Sequence, residues 1–168
     1  MNITRVSTFL SLFLCAFPLL AQDSTLFHFK LEDQFSETHR YEQYIGKVLI
    51  VVGSDREGSR YNEIWRFAIH DSLKKVQLED SVTFIAVANV KGVPRLFRGF
   101  VRGKFPRQQH HRILMDWDGD FARIYQYQPA ETNILLIDRE GHVVHQLNGT
   151  DLDPESISRL LEKVAALF

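Results

Sequence analysis

One cysteine, Cys15, is all the thiol this 168-residue chain owns, and it lies in an apolar run near the N-terminus. Thiolates carry out disulfide exchange and peroxide reduction, so a segment without cysteine cannot perform either reaction. With nine glycines and five prolines, the chain is neither collagen-like nor a low-complexity linker. Charge of one sign is not in excess: 20 Lys and Arg stand against 21 Asp and Glu, a net of −1. That balance gives no global push toward nucleic acid or a membrane. His-x-x-x-His and His-Glu-x-x-His spacings are missing, as is Gly-x-Ser-x-Gly. Helical zinc sites and nucleophile elbows of those forms are therefore excluded.

What is present begins with a leader. Arg5 is the only charged side chain before Gln22, and an apolar stretch from Phe9 to Leu20 follows it. Ala21 then precedes polar Gln22, Asp23 and Ser24. A basic start, a short apolar run and a small residue at the break describe a secretory signal peptide, with cleavage expected after Ala21. The run is too short for a spanning helix, which takes about 20 apolar residues. The plainer reading is an N-terminal core helix, but the stretch has no acidic residue and no polar face. Leu14 is not the small residue that lipid attachment at Cys15 would want. Residues 1–21 are thus read as signal peptide and 22–168 as one domain, periplasmic or secreted, with no stable membrane insertion after cleavage. Without Arg5, 19 basic residues face 21 acidic ones, and no cysteine remains.

Along the mature chain, Phe27, Phe29 and Leu31 alternate with polar residues, the period of a half-buried strand. Val48-Leu49-Ile50-Val51-Val52 reads as a central strand buried on both faces. Ile64, Trp65, Ala68, Ile69, Leu73 and Val76 recur at helical spacing, which predicts a helix from Tyr61 to Gln77. A second buried strand is expected over Ser81–Ala88, and a short helix within Pro94–Phe105, where Leu96, Phe97 and Phe100 share a face. Arg112–Met115 reads as a strand ending in the turn Asp116–Gly119, and a short helix is expected from Asp120 to Tyr127. Asn133–Ile137 and His142–Leu147 flank a Gly-ended turn and predict a hairpin. Asp153 as N-cap and Pro154 at the first helical position open a final amphipathic helix. Strands alternating with helices and closing in a hairpin predict an α/β fold with a mixed sheet.

Phe29-Lys30-Leu31-Glu32-Asp33, followed by Tyr44-Ile45-Gly46-Lys47-Val48-Leu49, resembles the opening of the thioredoxin-like superfamily in its redoxin and peroxiredoxin form. Asp116-Trp117-Asp118-Gly119, Tyr125 and the run Asn133–Gly141 are similar to its second half. Within the superfamily the chain most resembles the small exported group called YtfJ-like. The resemblance covers nearly all of the mature chain and implies a three-layer fold, a mixed central sheet with helices on both faces. It also implies a redox cysteine in the loop after the central strand, where a helix N-terminus stabilises a thiolate. Here that place is held by Glu57-Gly58-Ser59-Arg60. The family's cis-proline position falls on Thr132, with Pro129 three residues early. A cis bond before a non-proline costs about 2.5–4 kcal/mol, so a trans bond is expected.

The candidate site is this degenerate loop, with Asp55, Glu57, Ser59 and Arg60 suited to a small polar or anionic ligand. Its plainer reading is a capped, charge-neutralised turn. Arg95, Arg98 and Arg102, interleaved with aromatics, are a candidate surface for an envelope partner, or else a solvated basic helix face; nucleic acid is not expected. Neighbouring His110 and His111 point apart on an extended chain, as do His142 and His145, so no metal site is assigned. Asp116-x-Asp118-Gly119 lacks the spacing of a calcium loop and reads as a turn bonded to its own amides. The expected function is a cysteine-free binding domain with no cofactor and no thiol or peroxidase activity. The alternative is an enzyme using Asp55 or Glu57 as an acid–base group.

Overall fold

The computed structural model describes residues 27–108 and 111–168. The leader reading therefore lies outside the described residues, as does His110. Seven strands form one sheet: β1 (Lys30–Asp33), β2 (Thr38–Arg40), β3 (Val48–Ser54), β4 (Val82–Asn89), β5 (Ile113–Asp116), β6 (Thr132–Ile137) and β7 (Val143–Gly149). Their spatial order is β2-β1-β5-β4-β3-β6-β7. The β3–β4 and β4–β5 pairs are parallel, and every other pair is antiparallel. The sheet is mixed, as the alternation of elements predicted.

Strand β3 is buried along its whole length because both of its faces are covered. Val48, Ile50 and Val52 point to one layer, where they meet Trp65, Ile69 and Leu73 of α1 (Ser59–Lys75). The same layer takes Ile157, Leu160 and Val164 of α4 (Pro154–Ala165). Leu49 and Val51 point the other way, toward Phe27, Phe29, Leu114, Tyr125 and Phe121, the last on α3 (Asp120–Ile124). The two-residue period of a strand assigns alternate side chains to opposite layers, and the three-layer arrangement follows. Asp153 accepts from the amides of Glu155 and Ser156 at 3.2 and 3.0 Å, so the cap of α4 forms as its sequence implied.

Most boundaries shift from expectation by one to three residues, α1 to Ser59–Lys75 and the end of α3 to Ile124 among them, and three differences stand out. The first strand starts at Lys30, although Phe27 and Phe29 are buried as the alternation required. The polar stretch after it contains the edge strand β2 and a 3-10 turn over Tyr41–Tyr44. Strand β2 carries no apolar alternation, because an exposed three-residue edge strand has no core face to fill. The hairpin β6–β7 slips register between Leu136 and Ile137, which shifts β7 one residue past its expected start.

Candidate functional site

Strand β3 ends at Ser54 and the chain turns through Asp55–Gly58 into α1. Asp55 organises this turn. One carboxylate oxygen accepts from the Gly58 amide at 2.8 Å, and the other accepts from the Ala130 amide at 2.9 Å. The second bond crosses to the loop leading into β6, so the two loops are tied together. Gly58 is buried against that loop, and a Cβ there would lie 2.2 Å from the Glu131 carbonyl oxygen. Only glycine permits so close a backbone approach. Ser59 turns its hydroxyl back to donate to the Arg56 carbonyl at 2.7 Å, and Arg60 stacks over Tyr61 at 4.9 Å. Glu57 is exposed.

Beneath the loop runs a buried polar chain. Thr132 donates to Asn62 Oδ1 at 2.7 Å, and the Asn62 amide nitrogen donates to Ser54 Oγ at 2.9 Å. Ser54 and Thr132 are both buried. Asn133 closes the adjacent turn, accepting from the Gln128 amide at 2.6 Å and donating to the carbonyls of Gln128 and Glu131. Every peptide bond described is trans, including the one before Thr132. Asp55 bonds the Ala130 amide, two residues before Thr132. Nothing in the sequence marks Asn62, which links Thr132 to Ser54 at the end of β3. An asparagine on the polar side of an amphipathic helix carries no signal that it is a bridge.

A second cluster lies toward the β2 edge of the sheet. Buried Asp33 accepts from the amides of Phe35 and Glu37 at 2.8 and 3.0 Å. It also meets Arg112 at 2.5 Å and His39 at 3.0 Å. Arg112 reaches Glu37 at 2.9 Å as well, and His39 contacts the Tyr44 hydroxyl at 3.2 Å. Burial pushes the Asp33 carboxyl up, but His39, the Glu37 amide, Arg112 and the Phe35 amide together hold it below the ordinary value. Asp33, Glu37 and His39 form the one group among the described residues with three donor atoms close enough for a metal ion. The guanidinium of Arg112 already supplies positive charge to both carboxylates, so the cluster is a complete ion-pair network.

The other buried carboxylate, Asp116, behaves oppositely. Burial raises its pKa, and only the amides of Ala122, Phe121 and Gly119 oppose the rise. This is the self-bonded turn expected of Asp116–Gly119, with Gly119 in the left-handed region. His142 contacts Asp138 at 3.2 Å, whereas burial and then Lys163 and Arg159 lower the pKa of His145. The two hairpin histidines therefore serve different surroundings.

The basic segment corrects the sequence reading. Residues Arg95–Phe97 form a 3-10 turn that leads into α2 (Arg98–Arg102). Arg98 and Arg102 do not make a solvated face. Their guanidinium groups lie 4.9 and 5.3 Å from the ring of Trp117, and they pair with Asp118 and Glu32 respectively. The apolar residues instead point outward: Leu96 is 87% exposed, Phe100 65% and Phe97 54%. Arg95 is exposed beside them. A polar cleft of about 450 Å³ opens next to Trp117, lined in part by Lys30, Glu32, Thr38, Arg98, Asp118 and Asp120.

In sequence, the chain matches no protein-family model and no curated protein. In structure it is similar to the exposed lipoprotein thioredoxin of Streptococcus pneumoniae strain TIGR4, with TM-score 0.56 and 19% identity over 81% of this chain and 98% of that one. A SCO1/SenC family lipoprotein from Bacillus anthracis gives a TM-score of 0.60 at 13% identity, over 87% of this chain and 96% of the other. Peroxiredoxin Q from Xanthomonas campestris gives 0.57 at 12% identity, over 86% and 98%. Identities this low speak for architecture alone, and on architecture they agree: the chain has the thioredoxin-like fold.

Proposed function

We propose that this chain is an exported redoxin-type protein, of the YtfJ-like group, that works by binding an envelope protein or a small polar ligand and not by thiol chemistry. The observation that carries the reading is Asp55. Just ahead of residues 57–60, where the resemblance implies a redox thiol, its carboxylate ties Gly58 and Ala130 together. Residues 22–168 contain no cysteine to replace the missing donor. Two of the similar structures are described as lipoproteins, which supports an envelope setting, as does the apolar leader. Among the described residues, no helix is long and apolar enough to cross a membrane.

An acid–base enzyme at the same loop is the weaker reading, because both oxygens of Asp55 already accept backbone amides. The cleft beside Trp117 is the better place for a small polar ligand, since its walls carry groups of both charges. Purified residues 22–168 are expected to leave insulin disulfides intact and to consume no peroxide beyond a heat-killed control. Turnover in either assay overturns the proposal. Export is checked separately: mass spectrometry of the envelope fraction should find a chain beginning at Gln22.

A further inference from the structure

Three large apolar side chains pointing into water from one short turn are costly unless something covers them. At Leu96, Phe97 and Phe100 the exposure is built in, not incidental. Arg98 lies between Phe97 and Phe100 and Arg102 two residues beyond Phe100, and both are fastened inward on Trp117, Asp118 and Glu32, which leaves the neighbouring apolar residues facing out. The tip is therefore held in place by the body of the protein. It is also convex: a Leu96 that is 87% exposed has no protein wall beside it.

The surrounding charge has one sign. From Lys91 to Arg112 the chain contains no Asp or Glu. Arg98, Arg102 and Arg112 are paired with carboxylates from elsewhere, whereas no salt bridge among the described residues includes Arg95, Lys104 or Arg107. These cations sit around the apolar tip. Arg95 adjoins Leu96, Lys104 lies 4.7 Å over the ring of Phe100, and a guanidinium nitrogen of Arg107 comes within 3.9 Å of the Cβ position at Gly103.

We propose that this tip docks on an anionic lipid surface, Leu96, Phe97 and Phe100 entering the headgroup boundary while Arg95, Lys104 and Arg107 engage the phosphates. Aromatic and aliphatic side chains ringed by cations match such an interface in both polarity and charge. A bilayer yields around a convex tip, whereas a protein partner would need a pocket shaped to receive it, so the convexity favours lipid over an acidic protein. The inference does not depend on what the α1 loop does.

Residues 22–168 hold every element and both core clusters described above, and they are the form to test, since the leader's own apolar run is then absent. Vesicle co-sedimentation compares phosphatidylcholine alone with phosphatidylcholine containing phosphatidylglycerol. Binding is expected only with the anionic lipid, weakening as salt rises. The variant Leu96→Ser/Phe97→Ser/Phe100→Ser should bind about ten-fold more weakly or worse. Arg95→Gln, Lys104→Gln and Arg107→Gln should each weaken binding roughly five-fold at low salt. All these positions are exposed, and an unchanged circular dichroism melt confirms folding. The proposal is overturned if the unmodified protein ignores anionic vesicles, if both sets of variants sediment as it does, or if an acidic peptide is captured while vesicles are not.

Discussion

Two parts of this molecule treat their polar and apolar groups in opposite ways. Around the head of α1, Asp55, Asn62, Thr132 and Asn133 direct their polar atoms inward and bond them to one another or to backbone, leaving a shut seam between two loops. At the tip Arg95–Arg102, apolar side chains point to solvent and arginines point to the protein. The seam borders residues 57–60, where the resemblance implies a redox cysteine, yet it is built like a core. The tip, which follows the neighbouring strand β4, is built like an interface. A fold therefore does not fix which of its regions is closed and which presents apolar surface; the direction taken by a few side chains does.

Substitutions at the seam should be the most damaging. Gly58→Ala brings a methyl group onto the Glu131 backbone and should cost about 3 kcal/mol in urea unfolding, because neither loop can give way alone. If Gly58→Ala is neutral, the loops are not locked as described. Asp55→Ala strips acceptors from the Gly58 and Ala130 amides and should cost about 2 kcal/mol, with Asp55→Asn in between. Thr132→Val leaves Asn62 short of a donor and should lose about 1 kcal/mol in the same measurement.

The buried carboxylates sharpen the contrast through pH. The Asp33 pKa is lowered in the folded state, so its contribution is present above the ordinary value, about 4, and is lost as pH falls through the folded one. Asp116 is raised, so it favours folding less as pH climbs from that ordinary value toward its folded one. Urea midpoints across the acid range should show Asp33→Asn flattening the acid limb. Asp116→Asn should remove a decline above it. Identical profiles for the two variants would erase the distinction between an ion-paired and an amide-bonded carboxylate. Smallest of all, Leu96→Ser and Phe100→Ser should move stability by no more than about 0.5 kcal/mol. A larger loss at either position means the tip packs on the body.

Much of this was legible in the sequence because it depends on neighbours along the chain. The run Val48–Val52, the three-and-four spacing of α1 and the Asp153-Pro154 cap are local patterns, and each formed. Residues 16–168 contain no cysteine, and no packing can give that segment a thiol of its own. Asp55 could be seen as a helix-capping residue, but its second partner, Ala130, is 75 positions away. Arg112 meets Asp33 across 79 positions, and nothing at either end announces the other. The facing of the basic segment was hidden for a related reason. Five helical residues make too short a period to point reliably, and the preceding 3-10 turn changes the phase. Local spacing thus determined which elements exist and what chemistry is missing. Which way Arg98, Arg102, Leu96 and Phe100 face was decided only when Trp117, Asp118 and Glu32 were brought beside them, since the attraction of a guanidinium for a ring or a carboxylate acts through space.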